Sequence, residues 1–329
     1  MLFTFRIKTM KRKHWIDSIR GISMIAILLY HTEFYYTGKV LINYSLYVTN
    51  VLILFFFVSG YLMYKTDFDI GKKIKSIFKG LLIPYFCFTT IIAIPKSLAH
   101  GTEIEIGSIL FQIFFGKASW FVASLCVSET FFAFAIHMTK GKIKVLALIS
   151  FIGFICSLYF NNLPPYPWQI GNSLLTLPFL FAGYTYHKYE TKYRLSNKTP
   201  IIWLALLCVF FVSIKIIEVS NNINLIIWPI NINNYPIFLL DEIICIIIMT
   251  LFCKRLPICH WLEWVGKHSL AYYFLCGGTP LVTSIFFNKI GLVYGGNYFN
   301  VLLVLLSVFI TTTLCTWIIY KYIPFIVGK

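Results

Sequence analysis

Charge is scarce in this chain of 329 residues: only 12% of the side chains are Asp, Glu, Lys or Arg, and just 12 residues are acidic. A soluble domain carries about a quarter charged residues, so a water-exposed globular surface is excluded. The usual marks of soluble phosphate and metal chemistry are missing too. Without a GxGxxG or a P-loop, the dinucleotide and mononucleotide modes of phosphate binding drop out. Without HExxH, a paired CxxC or a carboxylate cluster, no metal is expected. No small-residue cleavage site follows the first apolar stretch, so the basic patch Arg6 to Lys13 is expected to lead into a retained span. There is no internal repeat or low-complexity tract, and the longest hydrophilic stretch, Lys188 to Thr199, is too short for a separate soluble domain.

What is present is apolar: 59% of the residues are hydrophobic, including 32 Phe, 21 Tyr and 8 Trp. The nine cysteines show no metal spacing, and Cys87, Cys126, Cys156, Cys208 and Cys315 sit in apolar runs, where they read as small buried residues outside any disulfide framework. Apolar windows bounded by Lys clusters, Asn/Gly turns or Pro fall at 16–36, 44–64, 80–96, 118–138, 143–160, 170–187, 200–219, 235–253, 269–288 and 300–321. At about twenty residues per crossing these predict an all-α polytopic membrane protein with ten spans. Pro178 is expected to kink the sixth span. Segments 106–115 and 224–230 are too short to cross and are expected to be re-entrant or on the surface. The division that follows is a basic segment at 1–15, one membrane domain at 16–323 and a short tail at 324–329.

The net charge of +16 is arranged as topology rather than as a nucleic-acid footprint. With ten spans, 22 of the 28 Lys and Arg fall on one side, 4 on the other, and Arg20 and Lys215 lie within spans. That asymmetry places both termini in the cytoplasm, and the expected location is a bacterial-type inner membrane.

Inside the first span lies Asp17-Ser-Ile-Arg20-Gly-Ile-Ser-Met-Ile-Ala-Ile-Leu-Leu-Tyr-His31. At about 100° and 1.5 Å per residue, the eleven steps from Arg20 to His31 return to within about 20° of the starting direction and cover about 16 Å. Asp17 falls near the same stripe. Intramembrane ionisable groups face protein or a water-filled cavity and mark function. The bland reading is that Arg20 snorkels and His31 is a hydrogen-bonded interior histidine. Glu129, inside the fourth span, needs a partner or a proton. Lys72, Lys73, Lys75 and Lys79, ahead of the third span, either hold a polyphosphate or only mark the cytoplasmic side. Asp241 and Glu242, in the eighth span, suit saccharide hydroxyls or a helix-helix hydrogen bond. Lys215 and Glu218, one turn apart, are expected to pair with each other. His137, His187 and His268 lie near span ends, where water is expected to satisfy them.

Several of these pieces form an ordered set. Asp17-x-x-Arg20-Gly21 with His31, Phe55-Phe-Phe-Val-Ser59-Gly60-Tyr-Leu, the Lys run into Pro84-Tyr85, Trp120-Phe121, and Val265-Gly266-Lys267-His268-Ser269-Leu270 follow one another along the chain. In this order the chain resembles the integral-membrane acyltransferase family three, which includes fucose 4-O-acetylase-like and surface-polysaccharide O-acetyltransferases. The resemblance implies an acyl-CoA co-substrate, most often acetyl-CoA, and O-acetylation of a saccharide acceptor. It also implies that Arg20 and His31 are indispensable. The residues themselves add Asp17 and Glu129 as catalytic candidates, the four lysines toward the donor and Trp120, Asp241 and Glu242 toward the acceptor. Two positions depart from the pattern: the basic run is all Lys where relatives usually include Arg, and Cys276 stands where many carry His.

The chemistry agrees with that reading. Acyl transfer from a thioester to an alcohol needs a group to take the hydroxyl proton, and neutral imidazole suits this near pH 7. His31 acts either as that base or as a nucleophile, and Arg20 offers a permanent charge to a phosphate. The alternative class is an exporter or flippase of a lipid-linked saccharide or small solute. It expects inverted repeats and broken helices in corresponding halves, and neither is evident. For topology, a reporter fused after Lys140 is expected to read cytoplasmic and one after Asn222 external. A reporter after Lys198 that reads external would remove the ten-span arrangement.

Overall fold

Polar side chains open four of the membrane helices. Asn43, Asp69, Asn234 and Asn297 each accept a backbone N–H of the first helical turn, satisfying a donor that lipid cannot. The computed structural model describes residues 13–99, 104–190 and 200–329. Most of the basic 1–15 segment and of the Lys188 to Thr199 stretch, with Lys192, Arg194 and Lys198, lies outside the described residues.

The chain begins with α1 (His14–Thr37), α2 (Tyr44–Met63) and α3 (Ile70–Ile77), which runs through a π-helical turn (Phe78–Leu82) into α4 (Ile83–Ala99). Then come α5 (Ile106–Phe114), α6 (Trp120–Thr139), α7 (Ile143–Ser157), α8 (Ile170–Leu175), α9 (Leu177–Glu190) and α10 (Ile201–Ser220). An antiparallel hairpin, β1 (Leu225–Ile227) and β2 (Ile230–Ile232), precedes α11 (Tyr235–Arg255). The chain closes with α12 (His260–Lys267), α13 (Ser269–Leu275), α14 (Gly278–Lys289) and α15 (Tyr298–Tyr322).

The protein is an all-α polytopic membrane protein. Among the described residues, seven helices are long and apolar enough to cross a bilayer, or eight if α13 and α14, bent by 49°, form one span. These eight coincide with eight of the ten apolar windows. The other two windows are α1, which carries Asp17, Arg20, His31 and Glu33, and α8 with α9, which are interrupted at Thr176. That interruption has the cause read from sequence, because Pro178 has no N–H for the carbonyl of Leu174. The bend between α13 and α14 falls at Cys276-Gly277.

The third span also begins earlier than expected. It runs as one apolar segment from Ile70 to Pro95, so Lys72, Lys73, Lys75 and Lys79 stand on its first turns rather than in a preceding loop. Its π turn, with the Ile83 N–H reaching back to the Phe78 carbonyl, lies just before Pro84, where a regular ladder would demand an N–H that proline lacks. Segment 224–230, expected as a re-entrant or surface piece, forms most of the hairpin, with Leu225 and Ile227 buried.

Burial separates inner from outer helices. In α2, 83% of the spanning window is buried inside the protein, and in α6 67%, against 11% in α10 and 22% in α15. The outer helices present Ile201, Trp203, Leu206, Leu302, Leu306 and Ile310 outward, as a lipid-facing surface requires. Cys156 and Cys208, expected inside, are on this exposed surface. Helix α1 packs against α2, α11, α12, α13, α14 and α15. This central place explains how it carries ionisable residues.

Two pairs of glycines set the inner packing. A Cβ on Gly60 of α2 would overlap the Leu180 carbonyl of α9, and one on Gly183 of α9 would overlap the Phe57 carbonyl of α2. Gly21 of α1 meets the Leu262 carbonyl of α12 in the same way, and Gly266 of α12 meets that of Asp17. Small residues let helices approach where lipid supplies no hydrophobic drive between them. Gly183→Ala is expected to destabilise the protein by about 1–3 kcal/mol or more through overpacking, read as a lower thermal midpoint in detergent. Gly107→Ala in α5, where a Cβ meets no atom within 4 Å, is expected to leave the midpoint unchanged.

Candidate active site

At one end of the bundle, α1, α2, α3 and α6 enclose a cavity of about 260 Å3. Arg20 enters from α1, Ser59 and Met63 from α2, Lys72, Lys73 and Ser76 from α3, and Glu129 from α6, while Lys65, Asp67 and Asp69 come from the α2–α3 loop. The short α3 has alternating character: Ile77 is buried and Lys72, Lys75 and Ser76 are exposed. Asp69 starts it by accepting the Lys72 N–H at 3.0 Å. That bond holds the Asp69 carboxyl below the usual carboxylate range, helped by the Lys72 side chain.

The partner that Glu129 requires is Lys73, whose Nζ donates to Oε2 at 2.6 Å. The two side chains are 20% and 10% exposed, so the pair is largely withdrawn from water and links α3 to α6. Lys72 pairs more loosely with Asp69 at 3.2 Å, with its own side chain 86% exposed. An anion entering here meets Arg20, Lys65, Lys72 and Lys73, and it competes with the carboxylates that Lys72 and Lys73 hold.

The cavity unites Arg20, Glu129, Lys72 and Lys73 from separate parts of the sequence. Lys75 and Lys79 are exposed and do not line it. Asp17 is buried behind it, with its backbone carbonyl against Gly266. His31 lies about three helical turns from Arg20 along α1, partly buried among aromatic rings. Tyr30 meets it edge-on at 5.3 Å, and Tyr35 stacks at 6.3 Å. Tyr30 in turn meets Tyr44 of α2 at 5.3 Å, and Tyr44 is within electrostatic reach of Tyr273 and Glu242.

Asp241 and Glu242 are fully buried in α11. Asp241 accepts from Asn50 of α2 at 2.6 Å and from Lys215 of α10 at 2.8 Å. Lys215 also donates to Glu218 at 3.1 Å, as expected, so the anticipated pair is part of a larger network. Trp120 opens α6 and stacks on Trp228 at 5.5 Å, with 9° between the rings.

Sequence reading passed over other polar anchors. Glu33, fully buried two residues beyond His31, accepts the backbone N–H groups of Leu41 and Ile42 at 3.2 and 3.1 Å and the Tyr298 hydroxyl. It thereby ties the α1–α2 loop and the start of α15 to the histidine end of α1. At the Arg20 end, Lys13, Lys254 and Tyr61 all donate to Glu190. Burial works to raise the Glu190 carboxyl, but those bonds prevail and hold it down at about 2. The signal for both was present, since a carboxylate within or at the end of an apolar run needs a donor. His187 and His268, near span ends, each have a backbone partner as well. Their Nδ1 atoms bond the Tyr61 and Trp264 carbonyls at 2.7 and 2.6 Å, and His187 stacks on the Tyr61 ring while the His268 ring is tilted against Trp264; both side chains stay partly exposed.

A family model described as an acyltransferase domain matches residues 13–321, nearly the whole chain. No curated protein and no solved structure matches it.

Breaking a withdrawn ion pair leaves one charge uncompensated, at a cost of about 3–5 kcal/mol when fully buried and less where water reaches. Lys73→Met is therefore expected to lower the thermal midpoint. The double variant Lys73→Met with Glu129→Leu is expected to recover most of the loss, as measured by melting in detergent.

Proposed function

The chain belongs to acyltransferase family 3, and from that premise we propose that it is a membrane O-acyltransferase, moving an acetyl group from cytoplasmic acyl-CoA to a hydroxyl of a cell-surface saccharide or its lipid-linked precursor. The observation that carries this reading is the cavity in which Lys72 and Lys73 of α3 meet Arg20, which stands on the helix that also holds His31. Its end of the molecule is rich in Lys and Arg, which supports a cytoplasmic orientation in an inner membrane.

Coenzyme A is a polyanion. Arg20 presents a planar donor fork to a phosphate, and Lys65, Lys72 and Lys73 add point charges around it. Lys73 releases Glu129 as phosphate takes its place. The thioester arm then follows α1 toward His31. A neutral imidazole there takes the acceptor hydroxyl proton as the oxygen attacks the thioester carbonyl carbon. The carbon-sulfur bond breaks, the proton passes to the leaving sulfur, and free coenzyme A and an O-acyl saccharide result. Glu33, through its hold on the α1–α2 loop and on Tyr298, keeps this end of α1 in place.

Purified protein in detergent is expected to cleave acetyl-CoA and release free coenzyme A, whereas an exporter would release none. His31→Ala is expected to cut the rate by about 10²-fold or more while the protein stays folded. Arg20→Lys keeps the charge but loses the fork, and is expected to raise the KM for acetyl-CoA several-fold. Full acyl transfer by His31→Ala, measured as acylated product at wild-type protein level, would falsify the catalytic assignment.

A further inference from the structure

The hairpin between α10 and α11 is held more firmly than a surface loop requires. Thr49 of α2 donates to the Leu225 carbonyl at 2.7 Å, and the Asn172 side chain of α8 donates to that of Ile227. Asn161 both donates to the Ile232 carbonyl and accepts the Ile232 N–H, each at 3.0 Å, and the Asn162 N–H reaches the Ile230 carbonyl at 2.8 Å. Bonds from three separate parts of the chain thus fix both strands. The residue at the turn they support is Trp228.

Trp228 is 36% exposed, and one face lies parallel to Trp120 at 5.5 Å. From Trp120 the rings continue inward: Phe121 at 5.8 Å, then Tyr273 at 5.1 Å from Phe121. Tyr273 receives a long hydrogen bond from Ser119 at 3.5 Å, and it is within electrostatic reach of Tyr44, which packs against Tyr30, the ring that meets His31 edge-on. An aromatic interface belt anchors single rings to the headgroup region. Here, two indoles from distant segments are paired face to face on a pinned support, at the head of a ring series that carries phenol hydroxyls toward the histidine.

We propose that Trp228 and Trp120 form the outer acceptor subsite, where the C–H face of a sugar ring stacks on the exposed indole and the phenols beyond guide a hydroxyl toward His31. The inference rests on the saccharide-acceptor reading above. Flat apolar rings with a few convergent hydroxyl groups are the lining that an amphipathic ring such as a pyranose needs. The hairpin's anchors hold the platform still, which reduces the ordering cost of binding.

The test follows coenzyme A release from acetyl-CoA by purified full-length protein while the host's own surface polysaccharide, de-acylated with mild base, is added as probe. Wild-type release is expected to rise with added glycan. Trp228→Ala is expected to raise the half-saturating glycan concentration by about 2- to 10-fold, with the KM for acetyl-CoA unchanged. Trp228→Phe is expected to retain most of the glycan response. If Trp228→Ala does not fold, Trp228→Leu, which keeps apolar bulk without a ring face, is expected to show the same shift. If glycan stimulates the wild type and the variant with equal half-saturation, the indole is only an interface anchor and the subsite is overturned while the saccharide reading stands. If glycan does not stimulate the wild type at all, the saccharide reading fails and the subsite falls with it.

Discussion

A charge inside a bilayer has to find its partner within the protein, and most of this architecture follows from that. The ionisable residues of α1 are tolerated because helices enclose it on many sides, whereas α10 and α15, with most of their surface outward, offer lipid long apolar faces. Glu33, Glu129, Glu190 and Asp241 each accept from donors on another element. These bonds also tell the helices which neighbours to choose, since apolar faces in lipid do not discriminate strongly among one another.

Close backbone approach completes what the polar pairs begin. Gly60 with Gly183 and Gly21 with Gly266 bring helices together where a single methyl would collide with a carbonyl. The second pair matters to the site because it presses α12 onto the Asp17 turn and so seats the helix that carries Arg20 and His31. Three residues of the ordered motif set, Gly21, Gly60 and Gly266, thus have packing roles, and Tyr85 has another: its hydroxyl donates to the Ile113 carbonyl at 2.9 Å and ties α4 to α5.

The two ends of α1 have different chemistry. Around Arg20 the cavity is ionic, bordered by a loop and by the short α3 that leads into a π turn. Around His31 the surroundings are rings and hydroxyls from α1, α2 and α13. Such a division suits a reaction that joins a polyanionic donor to a neutral, hydroxyl-rich acceptor.

Much of this was legible in the sequence. The apolar windows and the alternation of basic clusters are local properties, set by what lipid and the membrane interface accept, and they located the helices to within a few residues in most cases. The spacing of Arg20 and His31 on one helix is likewise local, and so was the need of Glu129 for a partner. That the partner is Lys73, 56 positions earlier, was not legible, because many lysines were available and only the packing of α3 against α6 selects one. The early start of the third span at Ile70 was hidden for a related reason: its lysines resemble a loop until the cavity beside them and their acidic partners provide a place for the charge. The hairpin carrying Trp228 was hidden as well, since three-residue strands have no periodicity to read and are held by asparagines and a threonine far away in the chain. Local chemistry therefore determined which segments enter the membrane and which residues are too polar to face it. Tertiary structure alone decided which of those residues meet, because that choice depends on backbone contacts between segments that no stretch of sequence contains.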